Sequence, residues 1–200
     1  MSVATPPLGR RERQKQDKLA RITAAASELF AKHGVDEVTT QQIADAADIG
    51  TGTLFLYAKT KGELLLLVQN AHYADALKRG RAAAMGELTA VDAVLALLGP
   101  VVECNRVQVD NGRTYLREMV FGDPSEPQHA AALDIVAQTE QAVADILVER
   151  AGIDAGEATT LARVISAIQF LELAASVNSD STVPELLAST RAQVAAILPV

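Results

Sequence analysis

Six basic side chains, Arg10, Arg11, Arg13, Lys15, Lys18 and Arg21, fall close together near the amino terminus and face only Glu12 and Asp17. Such a cluster can neutralise the charges of an anionic polymer. On charge alone the simpler reading is a solvated, frayed tail. No other part of the chain gathers reactive groups. There is no Gly-x-Ser-x-Gly, no phosphate-cradling P-loop and no His/Glu pair at metal spacing, and nothing places a nucleophile beside a base. His33, His72 and His129 stand far apart, and Cys104 is the only cysteine, which excludes an internal disulfide and a cysteine-built zinc site. The expectation is a protein that is not an enzyme and holds no metal or cofactor.

The chain of 200 residues is 49% hydrophobic and 22% charged, too apolar for a disordered polymer. Ala and Leu are abundant, Trp is absent and aromatics are 4%, a composition that favours helix. No run approaches the ~18–20 apolar residues of a membrane span. Met1 to Arg10 has no apolar stretch of the secretory kind, so a soluble, cytoplasmic protein with no membrane partner is expected. The net charge of −7 by itself argues against nucleic acid. It is unevenly spread: residues 1–61 hold nine basic and seven acidic side chains, whereas residues 62–200 hold nine and eighteen. A basic end on an acidic body would steer a polyanion to one end.

The elements that would position these groups are helices throughout. Residues 1–14, polar and bearing Pro6, Pro7 and Gly9, read as a flexible basic arm. Leu19, Ile22, Ala26, Leu29 and Phe30 then recur at helical spacing until Gly34. Thr39 and Gln42 have capping-box spacing and open a short helix. Asp48-Ile49-Gly50 breaks it, and a second short helix runs from Thr51 to Tyr57 with Leu54 inward. Thr60 and Glu63 form a further capping box opening a long helix to about Arg81. Beyond it, helices are expected over about 90–109 with a kink or break at Pro100, and over 112–121. Others follow over 127–151, from Asp154 to about Val177, and from Pro184 onward.

Two short helices joined by a three-residue turn behind a longer one give a helix-turn-helix. Its second helix is small enough for the major groove of DNA, with Gly52, Thr53, Phe55 and Leu56 on the outer side. The basic arm, with Arg10 and Arg11, would follow phosphates or a neighbouring minor groove. The run from Leu19 to Leu65 resembles the DNA-binding domain of TetR-family transcriptional regulators. The resemblance rests on Ala25-Ala26, Leu29-Phe30, Gly34, Thr39-Thr40, Ile43-Ala44, Gly52-Thr53-Leu54, Tyr57, Lys61 and Glu63-Leu64 in unbroken order.

The resemblance implies that Thr40 and Gln41 contact phosphate or the groove edge, and that Thr51, Gly52 and Thr53 lie against base edges. It further implies that Tyr57 packs or touches the DNA backbone and that Lys61 binds a phosphate. Some positions depart from the family pattern. Gly50 stands where a hydroxyl residue is common, Asp48 replaces a turn glycine, Phe55 a tyrosine and Ala58 a phenylalanine, while Leu56 is apolar for a groove face. These departures keep a second reading open, a helical interaction module that has lost DNA.

The expected architecture is all-α. It comprises an amino-terminal three-helix helix-turn-helix DNA-binding domain over residues 15–60 and a helical ligand-binding and dimerisation domain over 61–200. The last two helices carry stripes, Leu161, Val164, Ile165 and Ile168 on one and Leu187, Val194 and Ile197 on the other, which are expected to pair with a second copy as a four-helix bundle. A homodimer would place two recognition helices on the halves of a palindromic operator in double-stranded DNA. Candidates to contact an unidentified small-molecule effector are Tyr73, Cys104, Arg106, Tyr115, Phe121, Gln138 and Phe170. With few charges available, an apolar or mildly polar molecule is expected. Such a molecule would tilt the long helix beginning near Thr60 and release the repressor from its operator.

Overall fold

The computed structural model describes residues 9–198, and among these every regular element is helical. Helix α1 (Arg10–His33) starts immediately after Gly9, so residues 10–14, expected in a flexible arm, are helical. Residues 1–8 of that arm lie outside the described residues. Gly34 ends α1 at φ 78°, a conformation glycine adopts without strain. Helix α2 (Thr40–Ala46) opens on the expected capping box: the Gln42 N–H donates to Thr39 Oγ1 (3.2 Å) and the Thr39 N–H to Gln42 Oε1 (2.8 Å). Asp48 makes the tight turn at φ 51°, the left-handed region that a short polar side chain tolerates.

Helix α3 (Thr51–Leu54) is a single turn, shorter than the expected 51–57. After Leu54 the chain tightens into turns: the Leu56 and Tyr57 N–H groups donate to the Thr53 and Leu54 carbonyls, three residues back. Helix α4 (Lys61–Ala84) is capped by Thr60, whose Oγ1 accepts from the Glu63 N–H at 3.0 Å. The returning half of that box is missing because the Glu63 side chain is buried against α7.

Helix α5 (Ala90–Arg106) passes through Pro100 unbroken, contrary to a break there. Buried Val94, Leu97, Leu98 and Val102 hold both sides of the proline, so packing outweighs the lost hydrogen bond. Helices α6 (Val109–Phe121) and α7 (Pro127–Ala151) follow, the latter stopped by left-handed Gly152. Helix α8 (Ala155–Ala174) ends sooner than expected, and a 3-10 turn over Ser176–Asn178 leads towards α9 (Val183–Ile197). Among the described residues no helix is long and apolar enough to cross a membrane.

Two apolar clusters hold the chain together. One joins Ile22, Phe30, Ile43 and Leu54 of α1–α3 to Leu64, Leu65 and Leu66 of α4 and Leu116 of α6. The second packs Leu97 and Leu98 of α5 with Leu147 of α7, Ile165 of α8 and Val194 of α9. That second cluster corrects part of the expected pairing stripe. Ile165 and Val194 are fully buried within one chain, while Leu161, Leu187 and Ile197 pack half-buried against the same core. Each such burial contributes roughly 1.5–3 kcal/mol, so neither Ile165 nor Val194 is available to a second copy. Ile168 is half-buried and Val164 exposed. Helices α4 and α5 meet at Gly80, where a Cβ would stand 2.0 Å from the Leu97 carbonyl oxygen.

Candidate nucleic-acid interface and internal cavity

The amino-terminal half of α1 lies along the helix-turn-helix. The two touch at two points: the Tyr57 hydroxyl donates to the Lys15 carbonyl at 3.4 Å, and the Arg21 guanidinium stands 3.5 Å from the Asp48 carboxylate. The sequence separation of these pairs hid the contact, which sets the Lys15–Arg21 stretch of α1 beside Tyr57 and the turn between α2 and α3. Arg10 and Arg11 are exposed at the free end of the same helix. Asp48 is fully open to solvent, and an exposed ion pair of this kind contributes only ~0–1 kcal/mol, so Arg21 is readily recruited elsewhere.

At the end of α3 nearest the turn, the two short helices are tied together. Thr51 Oγ1 donates to Gln41 Oε1 (2.7 Å), and Gln41 Nε2 donates to Asp45 Oδ1 (2.7 Å). Thr40 and Thr53 are half-exposed beside them. Gly52 is exposed, and a Cβ built on it would meet open space. Phe55 is 43% and Leu56 82% exposed, two large apolar side chains directly after α3. Lys61 donates from Nζ to the Asp36 carbonyl at 3.0 Å, which leaves two of its three donors free for another acceptor.

Buried polar contacts join this surface to the rest of the molecule. Asn111 of α6 accepts from the Val35 N–H (2.7 Å) and donates to the Phe30 carbonyl (2.9 Å), satisfying the end of α1 from the far side. Gly62 of α4 lies so close to Glu118 of α6 that a Cβ would meet its carboxylate at 2.4 Å. Glu63 is buried at the start of α7. Desolvation and the charge of Glu126 push its carboxyl above the usual glutamate range, and the backbone N–H groups of His129 and Gln128 only partly offset that. Lys59 pairs with Glu126 beside it.

A cavity of about 70 Å³ lies among α4, α6, α7 and α8. Of the residues expected around an effector, Tyr73, Tyr115 and Phe170 line it. The two tyrosine rings stack at 4.2 Å. Burial raises both phenols, and both hydroxyls are engaged: Asn105 Nδ2 donates to Tyr73 (2.8 Å), and Tyr115 donates to Asn70 Oδ1 (2.9 Å).

Four other candidates lie elsewhere. Cys104 faces a separate cleft beside α1, where desolvation pushes its thiol up to about 11. Arg106 is turned to the carbonyls of Asn178 and Ser181, binding the loop before α9. Phe121 is 77% exposed, and Gln138 is exposed and donates to Asp134 at 2.7 Å. The residue missed was Gln169, on the cavity wall and buried, with Nε2 unpartnered. A polar side chain one helical turn after the buried Ile165, on the inner face of α8, was the signal for it.

Comparison with known proteins comes to the same arrangement. Residues 22–68 match the family model described as bacterial regulatory proteins, tetR family. No curated protein matched the sequence. Among solved structures, Thermus thermophilus FadR, a TetR-family transcriptional repressor in complex with lauroyl-CoA, is 24% identical with a TM-score of 0.72, over 91% of this chain and 95% of that one. A TetR transcriptional regulator from a Rhodococcus species is 19% identical with a TM-score of 0.66, over 92% and 97%. Bacillus subtilis FadR in complex with stearoyl-CoA is 16% identical with a TM-score of 0.60, over 90% and 97%. At these identities the likeness is one of fold, and it extends along nearly the whole of each chain.

Proposed function

We propose that this chain, whose residues 22–68 match the tetR family model, is a TetR-family, ligand-responsive transcriptional regulator that binds operator DNA as a homodimer. The observation that carries the reading is that the Lys15–Arg21 stretch of the basic α1 meets Tyr57 and Asp48, the residues on either side of an exposed α3. A cationic strip next to a short helix with an open glycine suits a duplex, phosphates meeting the strip and base edges the helix. Arg10, Arg11, Thr40, Gln41, Thr51, Gly52, Thr53, Phe55, Leu56, Tyr57 and Lys61 are the proposed contacts. Leu56 supplies an apolar surface for thymine methyl groups.

Residues 15–60 act as the reading head and 61–200 as the sensing and pairing body. The exposed faces of α8 and α9, with Val164 and Leu171 on the former, supply the surface for a second copy. Helix α4 links the two functions. It starts at Lys61, next to the reading head, and carries Tyr73 at the cavity. A molecule that favours one tilt of α4 therefore changes the spacing of the two reading heads and releases the repressor.

The test is a salt titration of binding to duplexes from the region flanking its own gene. Affinity should fall steeply as salt rises. Lys61→Ala should lower the slope of log affinity against log salt by about one, and the double variant Arg10→Ala/Arg11→Ala by about two. Absence of duplex binding at low salt would leave the interaction-module reading in its place.

A further inference from the structure

We propose that the cavity among α4, α6, α7 and α8 takes the uncharged end of an apolar molecule bearing a single carbonyl or ether oxygen, which accepts a hydrogen bond from Gln169 Nε2. That such a molecule is an effector rests on the regulator reading above; the binding chemistry stands apart from it.

Gln169 is 8% exposed and its Nε2 has no partner, although a buried amide donor normally has one. The other polar groups deep in the cavity have bonds within the protein, the Tyr73 oxygen as acceptor and the Tyr115 and Thr139 hydroxyls as donors. Tyr73 is bonded to Asn105, Tyr115 to Asn70, and Thr139 donates to the Ile135 carbonyl at 2.8 Å. Ser166 and Phe170 are half-exposed and form the rim. The wall otherwise consists of apolar side chains such as Met119, Ala132 and Leu173, and no Asp, Glu, Lys, Arg or His lines it. A carboxylate or phosphate placed inside would be an unpaired buried charge, which the site has no cation to balance. An apolar guest with no oxygen would leave the Gln169 amide unsatisfied. About 70 Å³ admits a short chain end, so the remainder of a longer molecule extends out past the rim.

Three probes of equal length separate these chemistries: 2-hexanone, 1-hexene and hexanoate, titrated calorimetrically into the full chain at neutral pH. The Met119 methyl resonance reports whether a probe occupies the cavity. We expect 2-hexanone to bind about 5- to 10-fold more tightly than 1-hexene, and hexanoate no more tightly than 1-hexene. Gln169→Leu, which keeps the volume and removes the amide, should bring ketone and alkene within about twofold of each other. Its fold is verified by retained helical circular dichroism and by a retained Met119 shift with 1-hexene; should the leucine substitution disturb either, Gln169→Met replaces it.

Equal affinity of wild type for ketone and alkene would overturn the proposal. So would a preference for hexanoate, or three probes that all leave Met119 unmoved. Duplex binding is scored separately. Its loss with the ketone preference intact would remove the regulator reading and leave this chemistry standing, and the converse result would do the reverse.

Discussion

Gly52 is a glycine that its own fold does not require. Its backbone is helical, a Cβ would meet nothing, and an alanine would suit a helical position better by roughly 0.5–1 kcal/mol. If the position serves an approaching duplex, Gly52→Ala should leave the melting temperature unchanged or slightly raised while operator affinity falls about tenfold, the size of one lost base contact. Gel-shift titration beside thermal denaturation separates the two effects. Glu63 makes a different kind of statement. Its carboxyl titrates above the ordinary range chiefly because it is desolvated, so the native state favours the protonated form. The stabilisation is complete below the unfolded glutamate pKa and is lost as pH rises through the folded value. Glu63→Gln should therefore be the more stable protein at neutral pH, with the advantage shrinking on acidification through the glutamate range. Urea denaturation at a series of pH values measures this.

Among the elements, α6 is the one that joins the end of α1 to the cavity. Asn111 at its start closes the end of α1, and Tyr115 one turn later lies on the cavity, so both sit on one face of a single helix. Asn111→Ala would strand the buried Val35 N–H, while the Phe30 carbonyl would keep its bond from the Gly34 N–H, and should cost about 1–3 kcal/mol in urea denaturation. This contact also marks the limit of what the sequence conveys. Gly34, the Thr39–Gln42 box, Asp48 and Gly152 were legible because a cap or a left-handed turn is decided within a few residues. The order of helices followed from the same local signals. The partners of Asn111, the pairing of Tyr57 with Lys15 and the inward turn of Ile165 and Val194 depend on segments 42 or more residues apart, or on a core shared by five helices. Apolar periodicity shows that a face is covered without saying by what. The cavity is therefore only half legible: residue type marks Tyr73, Tyr115 and Phe170, which line it, equally with Cys104, Arg106, Phe121 and Gln138, which face other ways.

For the molecule as a whole, the charge is polar in the geometric sense. Residues 1–61 are net basic and the remaining body carries the acidic excess. A polyanion is attracted to one end and repelled from the rest, which orients the encounter as well as strengthening it. Two copies would have to meet through the body. Exposed Val164 and Leu171 lie on α8 at the seven-residue spacing of one helix face, and both can be changed without opening the core. Val164→Arg/Leu171→Arg should yield a folded monomer by sedimentation whose affinity for a palindromic duplex falls at least ~100-fold, since the second half-site contact is no longer intramolecular.

The chain has no tryptophan and three tyrosines, one at the reading head and two stacked in the cavity. This distribution turns the protein into its own optical gauge. With Tyr57 replaced by phenylalanine, all remaining ultraviolet emission would originate from the Tyr73–Tyr115 pair, and a guest entering between the helices would be seen without any attached dye.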